Sequence, residues 1–415
     1  MVLVPLAGLV LACSAPPPAA EPLARPTRAE IDTSVRRMIE EHQIPALAIG
    51  IVANGEVVYL EAFGAADGTP VTPQSPFLLA SVAKAFTGFA IMQLVDRGLV
   101  DLDAPVTTYL PWFELATPGA ADAMTVRHLL NQTSGFTTAL GNQRLVHGKA
   151  PTLENYVRAL RQVALTRPVG ARYEYSNTNF RVAGMIVEAV SGVPYATFMA
   201  REVFAPLGMN NSWAQDQALL QRDVVPTVGR NGRPVSRRLA ASGTPSGHLV
   251  ASAEDMTRWL AMHLNGGELD CVRLISAEAL AASHAGGARL TPTSTYSTGW
   301  VERERNGVRS SIHNGGIAGH RTVHLLLPDH RVGVVILAAL RDDHPASPVV
   351  AMANAIASRI VGQDITGPGR QPLGPSGMQR PDRRSHGRQT LAPRGTQRSE
   401  QQADGRDARG SVVSP

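Results

Sequence analysis

A serine and a lysine three residues apart, in Ser81-Val82-Ala83-Lys84, mark the place where this chain could do covalent chemistry. The chain has 39 basic residues, and only Lys84 and Lys149 are lysine. A position that stays lysine against such an arginine bias points to something arginine cannot do. Arginine does not lose its proton in a protein, whereas a buried lysine can be neutral and act as a base. On a helix, residues i and i+3 share a face, so the hydroxyl and the amine would be neighbours. That places a nucleophile beside a group able to activate it. Two more short motifs follow in order, Tyr175-Ser176-Asn177 and His313-Asn314-Gly315. His284-Ala285-Gly286 repeats the last pattern, but His284 falls in an Ala/Gly-rich loop after a helix, whereas His313 ends an expected strand. Each motif alone is weak; Ser81 could cap a helix and Lys84 could be a solvated charge.

The elements that must position these residues are legible in the hydrophobic pattern. Arg28 to His42 has Ile31, Val35, Met38 and Ile39 on one helical face. Ala46 to Val52 and Val57 to Phe63 are apolar or β-branched runs flanking Asn54-Gly55, a strong hairpin signal. Phe77 to Val100 reads as a long helix interrupted only near its ends, with Ser81 near its start. The stretch from about 101 to 290 reads as helices joined by Pro/Gly-rich loops. Its clearest helices are Met124 to Leu130, Leu153 to Leu160, Asn179 to Val190 and Ala253 to Leu264. Strands return at Ser297 to Glu304 and Val308 to His313, around Asn306-Gly307, and then at His320 to Leu327 and Val332 to Leu340. Residues 347–361 read as a closing helix. Two N-terminal and four C-terminal strands therefore bracket a helical middle. This predicts an α/β fold of the α+β type, a mostly antiparallel sheet from both chain ends, flanked by helices and carrying a helical subdomain.

The totals narrow the partners. The net charge of +5 belongs to the end of the chain, where nine arginines face four acidic residues from Thr366 to Pro415. The pI of about 9.5 is thus a property of the tail and does not argue for nucleic-acid binding. Residues 363–415, rich in Gly, Pro, Gln, Arg and Ser, read as a disordered basic tail. Residues 1–27 read as an export leader and linker: Met1 to Cys13 is almost wholly apolar and a Pro/Ala-rich stretch follows. Val10-Leu11-Ala12-Cys13 resembles a lipoprotein cleavage box, although Leu11 fits it poorly and no basic residue precedes Arg25; membrane anchorage through a lipidated Cys13 is the expectation that follows. A disulfide between Cys13 and Cys271 is conceivable, but Cys13 lies in the leader and Cys271 reads as a buried or loop thiol. Lys149 reads as a surface charge. The histidines show no His-Glu-x-x-His spacing, there is no cysteine cluster, and no phosphate-cradling loop follows a strand, so neither metal nor cofactor is expected.

Taken together, the ordered motifs resemble the serine β-lactamase and penicillin-binding-protein superfamily. The nearest branch holds class C β-lactamases, D-Ala-D-Ala carboxypeptidases, D-aminopeptidases and family VIII esterases. Arg127-His128-Leu129-Leu130-Asn131-Gln132-Thr133-Ser134-Gly135, Tyr175 to Phe180, Phe204 to Met209, Gly247 to Leu260 and His313-Asn314-Gly315-Gly316 with Leu327-Pro328-Asp329 all share in it. The resemblance covers roughly residues 30–362, and a hydrolase domain is expected over 28–362. It implies that Ser81 attacks a carbonyl carbon and forms an acyl-enzyme. Lys84 would be the base, its pKa lowered by burial and by Tyr175, and Tyr175 would relay a proton to the leaving group. Asn177 would hold Lys84 and a substrate amide. The backbone N–H groups of Ser81 and Gly316 would form the oxyanion hole, with Gly315 beside them. His313 stands where many relatives have lysine; it could hold a substrate carboxylate when protonated, or support Tyr175 electrostatically. Gln132 replaces a usual histidine and reads as structural. The expected activity is that of an exported serine hydrolase on esters, amides or D-amino-acid peptides, including peptidoglycan-derived fragments. A D-Ala-D-Ala carboxypeptidase or β-lactamase is the alternative, and a penicillin-binding sensor that acylates without turnover is the alternative of another class.

Overall fold

A computed structural model of the chain describes residues 26–143, 152–214, 224–227, 240–317, 319–340 and 348–366. The leader with Cys13, Lys149 and the tail beyond Thr366 lie outside the described residues. Helix α1 spans Arg28–Glu41 and starts with a capping box, in which Thr27 accepts from the Glu30 amide while the Glu30 carboxylate accepts from the Thr27 amide. Strands β1 (Ala46–Ala53), β2 (Glu56–Ala66) and β3 (Thr69–Pro70) follow. The helices that matter for the site are α2 (Ala83–Asp96), α3 (Asn177–Ser191), α4 (Ala253–Leu264) and α5 (Ala277–Ser283). Six strands come next: β4 (Ala288–Thr291), β5 (Ser294–Ser297), β6 (Trp300–Arg305), β7 (Val308–Ile317), β8 (His320–Leu327) and β9 (Val332–Ala339). Helix α6 (Pro348–Val361) closes the order.

The main sheet has nine strands in the order β3-β2-β1-β9-β8-β7-β6-β5-β4, every neighbouring pair antiparallel. The two chain ends meet where β1 pairs with β9, from Ala46 opposite Ala339 to Ala53 opposite Val332. All eight residues of β1 are buried, as a strand covered on both faces requires. Leu47, Ile49 and Ile51 point toward α1 and α6, packing with Ile31, Val35, Val349, Met352 and Ile356. Ala46, Ala48 and Val52 point the other way, into the larger core with Phe86 and Phe89 of α2 and Trp259 of α4.

Five expectations need correcting. The long helix from Phe77 is instead a short strand, Phe77–Leu78, a 3-10 turn, Ala80–Val82, and then α2. The strand pairs with Leu249–Ala251, the Leu79 amide donates to Leu249 O, and Ala80 takes a left-handed φ of +48°, so the chain cannot enter the helix before the turn. Ser297 to Glu304 is not one strand, because the chain turns at Thr298 and Gly299 (φ +50° and +93°) and runs back as β6 along β5. The sheet also has more strands than expected, since β3, β4 and β5 are short, carry several Thr and Ser and lie at the edges. Helix α4, expected within the helical middle, packs directly on β1 and β9. Cys271, read as a thiol, lies exposed in the turn between the short strands Glu268–Leu269 and Val272–Arg273 and is not free.

The Thr298-Gly299 corner is what holds the sheet edge against α2. A Cβ on Gly299 would fall 2.6 Å from the Lys84 carbonyl oxygen, and one on Gly88 would fall 2.2 Å from Thr298 O. Both glycines let backbone meet backbone beside the helical turn that carries Lys84. Gly299→Ala should therefore cost about 1–3 kcal/mol more than Gly286→Ala, because overpacking adds to the left-handed strain. Gly286 is the matched control, with φ +67° and no atom within 4 Å of the point where a Cβ would stand. Urea unfolding of the two variants measures the difference; equal losses would show that the corner can relax away from α2.

Candidate active site

Lys84 emerges from the first turn of α2 and is fully buried. Its ammonium nitrogen lies 2.7 Å from Asn177 Oδ1, 2.6 Å from the Ser246 carbonyl oxygen and 3.3 Å from Ser81 Oγ. Among the described residues no carboxylate forms an ion pair with it. Its remaining neighbours are aromatic, with Nζ 4.9 Å from the Tyr175 ring centre and 5.8 Å from that of Phe180. Burial, and after it the nearby charge of Arg181, hold the Lys84 amine well below the ordinary lysine pKa. Asn177 Oδ1 and Ser246 O can only accept. In the neutral amine they take both N–H groups, which leaves the lone pair for the Ser81 hydroxyl.

Ser81 sits in the 3-10 turn, half-buried, and its Oγ also accepts a 2.8 Å hydrogen bond from the Tyr175 hydroxyl. Burial pushes the Tyr175 phenol well above the ordinary tyrosine value, and the hydrogen bond to Ser81 only partly opposes this. The two groups flanking Ser81 are thus driven apart, an amine that sheds its proton easily and a phenol that keeps its own. Opposed environments of this kind separate a base from a proton donor.

The loop carrying Tyr175 and Asn177 is fixed from below. Gln132 Oε1 accepts from the Ser176 amide at 2.9 Å and from Asn179 Nδ2 at 2.5 Å, and Ser134 Oγ donates to Asn179 Oδ1 at 2.5 Å. Asn177 is the first residue of α3, and its Nδ2 reaches Asn142 Oδ1 at 3.3 Å. The Ser246 carbonyl is pinned in turn. One helical turn beyond Lys84, Thr87 Oγ1 donates to Pro245 O at 2.6 Å and lies 2.6 Å from the Tyr195 hydroxyl. Ser246 and Thr87 were not singled out in the sequence, since a carbonyl acceptor carries no residue-type signal and a buried threonine is ordinary.

The third motif lies on β7, which runs beside the Ser81 turn. A Cβ on Gly315 would fall 2.5 Å from Leu79 O and 2.8 Å from Ala80 Cβ, so only glycine lets this strand approach. Thr322 Oγ1 on β8 donates to the same Leu79 carbonyl at 2.7 Å. This brings the backbone of Gly315 and Gly316 alongside the turn that presents Ser81. His313 departs from expectation. It is buried, with Nδ1 2.8 Å from Asn314 O and Nε2 3.2 Å from the Tyr296 hydroxyl. Asn314 O can only accept, so Nδ1 carries the proton and Nε2 receives the Tyr296 hydroxyl. Burial, and then the Lys84 charge, lower its pKa to about 3. A neutral ring with both nitrogens occupied cannot hold a carboxylate as a cation; its part beside Tyr175 is ring packing, at 6.4 Å between centres. Tyr296, missed in the sequence, is the residue that fixes this tautomer. Among the described residues no group of three His, Cys, Asp or Glu side chains could hold a metal ion.

Known proteins resemble the chain over most of its length. The family pattern described as Beta-lactamase matches residues 31–359. Protein flp of Staphylococcus aureus (strain MW2) is 26% identical over 328 residues, 78% of this chain but 65% of the relative, so the chain spans just under two thirds of that protein. Penicillin-binding protein 4 of Amycolatopsis lactamdurans is 29% identical over 312 residues, covering 72% of this chain and 81% of the relative. Among solved structures, the octameric penicillin-binding protein homologue from Pyrococcus abyssi superposes with a TM-score of 0.71 at 24% identity, over 81% of this chain and 78% of that one. A class C β-lactamase superposes with a TM-score of 0.68 at 19% identity, over 79% of this chain and 94% of the other. Those two likenesses concern the fold: the antiparallel sheet with helices on both faces is the β-lactamase/transpeptidase-like fold. With the family pattern running through the whole sheet and all three motifs, the chain belongs to the β-lactamase family.

Proposed function

We propose that the protein hydrolyses esters, amides or D-amino-acid peptides through an acyl-Ser81 intermediate. The observation that carries this reading is the environment of Lys84, a fully buried amine bound by two pure acceptors and facing Ser81. In the reaction, the Lys84 lone pair takes the Ser81 proton as Oγ attacks the substrate carbonyl carbon. The protonated phenol of Tyr175 then donates toward the leaving group and recovers its proton through Lys84. The backbone N–H groups of Ser81 and Gly316 would receive the developing oxyanion. A water repeats the attack on the acyl-enzyme with the same base.

Substrate preference follows from His313. A neutral histidine at that position supplies no charge for a terminal carboxylate, which favours esters and amides over a strict carboxypeptidase activity. Kinship with a protein named for penicillin binding makes β-lactams sensible probes of Ser81. We place the protein outside the cytoplasm because of its apolar N-terminal stretch. Among the described residues no single helix is long and apolar enough to cross a membrane.

A panel of short acyl esters, a chromogenic cephalosporin and D-Ala-terminated peptides, assayed on wild type and Ser81→Ala, tests the reading directly. Turnover is expected on at least one class and should vanish in Ser81→Ala; unchanged activity in that variant would sink the proposal. The covalent adduct should disappear within the turnover time by mass spectrometry, and an adduct stable for hours would identify a sensor instead.

Lys84→Arg keeps the charge and removes the base, so kcat/KM should drop by about 10²–10⁴, the usual range of general base catalysis. Tyr175→Phe should lose a similar factor, with the greatest effect on poor leaving groups. The pH profile has a definite sign. Lys84 acts only without its proton, so kcat/KM rises with pH through the lowered lysine pKa and falls as the solution is acidified. Tyr175 keeps its proton across the neutral range and adds no alkaline fall there. A profile that declined from neutral pH toward pH 9 would contradict the assignment of base and donor.

A further inference from the structure

A concavity of about 1060 Å³ lies at the far end of the sheet from Ser81. Ser311 near the start of β7 lines it, whereas Gly315 near the end of that strand touches the Ser81 turn; the strand separates them by about 13 Å. None of Ser81, Lys84, Tyr175 or Asn177 belongs to its wall. Most charged groups around it are already committed. Arg309 is paired with Asp329, Arg273 with Glu268, and Glu302 accepts from Ser311 Oγ at 2.6 Å and meets His284 Nδ1 at 2.8 Å.

Arg303 is held by Ser310 Oγ and Asn354 Oδ1, and Glu304 makes no ion pair among the described residues, which leaves Arg331. It is only 7% exposed, yet among the described residues no carboxylate pairs with it. Its Nη1 donates to Leu264 O at 3.1 Å, its Nη2 to Asn265 Oδ1 at 2.9 Å, and its buried Nε has no partner. The residue also holds a left-handed φ of +52°, which a side chain tolerates at a cost. Capping of the α4 C-terminus explains two of its hydrogen bonds and part of its charge. Nε has no accessible surface, so a ligand would meet the second N–H of each Nη, at a cleft that also has apolar walls from Leu264, Leu280 and Leu326. A buried guanidinium without a counter-ion is costly, and an anion from solution removes that cost.

We propose that this cleft is a binding site for an organic monoanion, a carboxylate or phosphate monoester on an apolar body, with the head on Arg331 and the body along Leu264, Leu280 and Leu326. The basic tail of the chain has the wrong sign to fill it, with nine arginines against four acidic residues. Arg289 also lines the cleft, but on β4, five strands from β9, so about 24 Å of sheet separates it from the head position.

Octanoate and octanol are the probes, titrated into the full-length Ser81→Ala protein and followed by calorimetry and by fluorescence of Trp300, whose ring lies 5.3 Å from both His263 and His284 on the cleft wall. Octanoate should bind saturably and octanol at least about tenfold more weakly, the worth of one charge-assisted contact. Arg331→Asn, which tolerates the left-handed backbone, should lose about tenfold in octanoate affinity, and Arg289→Gln should stay within about twofold because the charge is remote. Ala277→Glu guards against a folding artefact. Ala277 is an exposed first residue of α5, where a glutamate is favourable, and a Cβ on Gly266, next to Asn265, would touch it at 3.6 Å. The added charge should abolish octanoate binding in a protein that melts like wild type. No saturation up to about 10 mM, equal binding of octanol, retention in both Arg331→Asn and Ala277→Glu, or an equal loss in Arg289→Gln would each overturn the proposal.

Discussion

A buried amine with no carboxylate partner is the constraint on which the rest of this structure depends. Had an aspartate or glutamate faced Lys84, the pair would have held the lysine charged and unable to accept a proton. An amide oxygen and a backbone carbonyl oxygen stabilise its N–H groups without fixing its charge. Burial then does the rest, because a cation in that position has lost its water and gained no counter-ion. The lone pair has one remaining direction with a proton in it, toward Ser81.

That arrangement needs three distant parts of the chain to converge within hydrogen-bonding distance. Each is secured by contacts of its own, away from Lys84. The Gln132–Asn179–Ser134 network holds the loop of Tyr175 and Asn177, and the Thr87 hydroxyl holds Pro245 and so the Ser246 carbonyl. The sheet supplies the fixed reference. Pairing of β1 with β9 joins the chain ends, β8 and β7 follow in register, and Gly315 lets β7 settle against the Ser81 turn. A one-residue slip in this ladder would turn each side chain to the opposite face, so the register that builds the core also aims the third motif.

Much of this frame was legible because its signals are local. Asn54-Gly55 and Asn306-Gly307 all adopt positive φ, the conformation that a two-residue hairpin turn demands. The periodicity of α4 marked its ends to the residue, and Ser81 with Lys84 stood out by residue type and spacing. What stayed hidden depends on other parts of the fold. The start of α2 is set by pairing of Phe77–Leu78 with Leu249–Ala251, which no local pattern of Phe77 to Val100 announces. Strands β4 and β5 have only four residues each, at the sheet edge and next to it, so they have little apolar alternation to reveal them. The Ser246 carbonyl is invisible to any motif, because every residue has one.

His313 shows most clearly why residue type alone does not settle a role. The same imidazole could carry a charge for substrate or sit neutral in a wall, and the choice lies with Tyr296, more than a dozen residues away in sequence. By donating to Nε2 while Asn314 O takes the proton on Nδ1, the surroundings use both nitrogens and exclude water from the ring. Protonation would break the Tyr296 contact, because a second N–H cannot accept that hydroxyl, and would add a cation near Lys84. Both effects oppose charging, so His313 adds no positive charge on the β7 side of Ser81. On the proposed reading, selectivity falls to hydrogen bonds of the backbone, which would recognise an acyl group by its carbonyl rather than by a charge at its end.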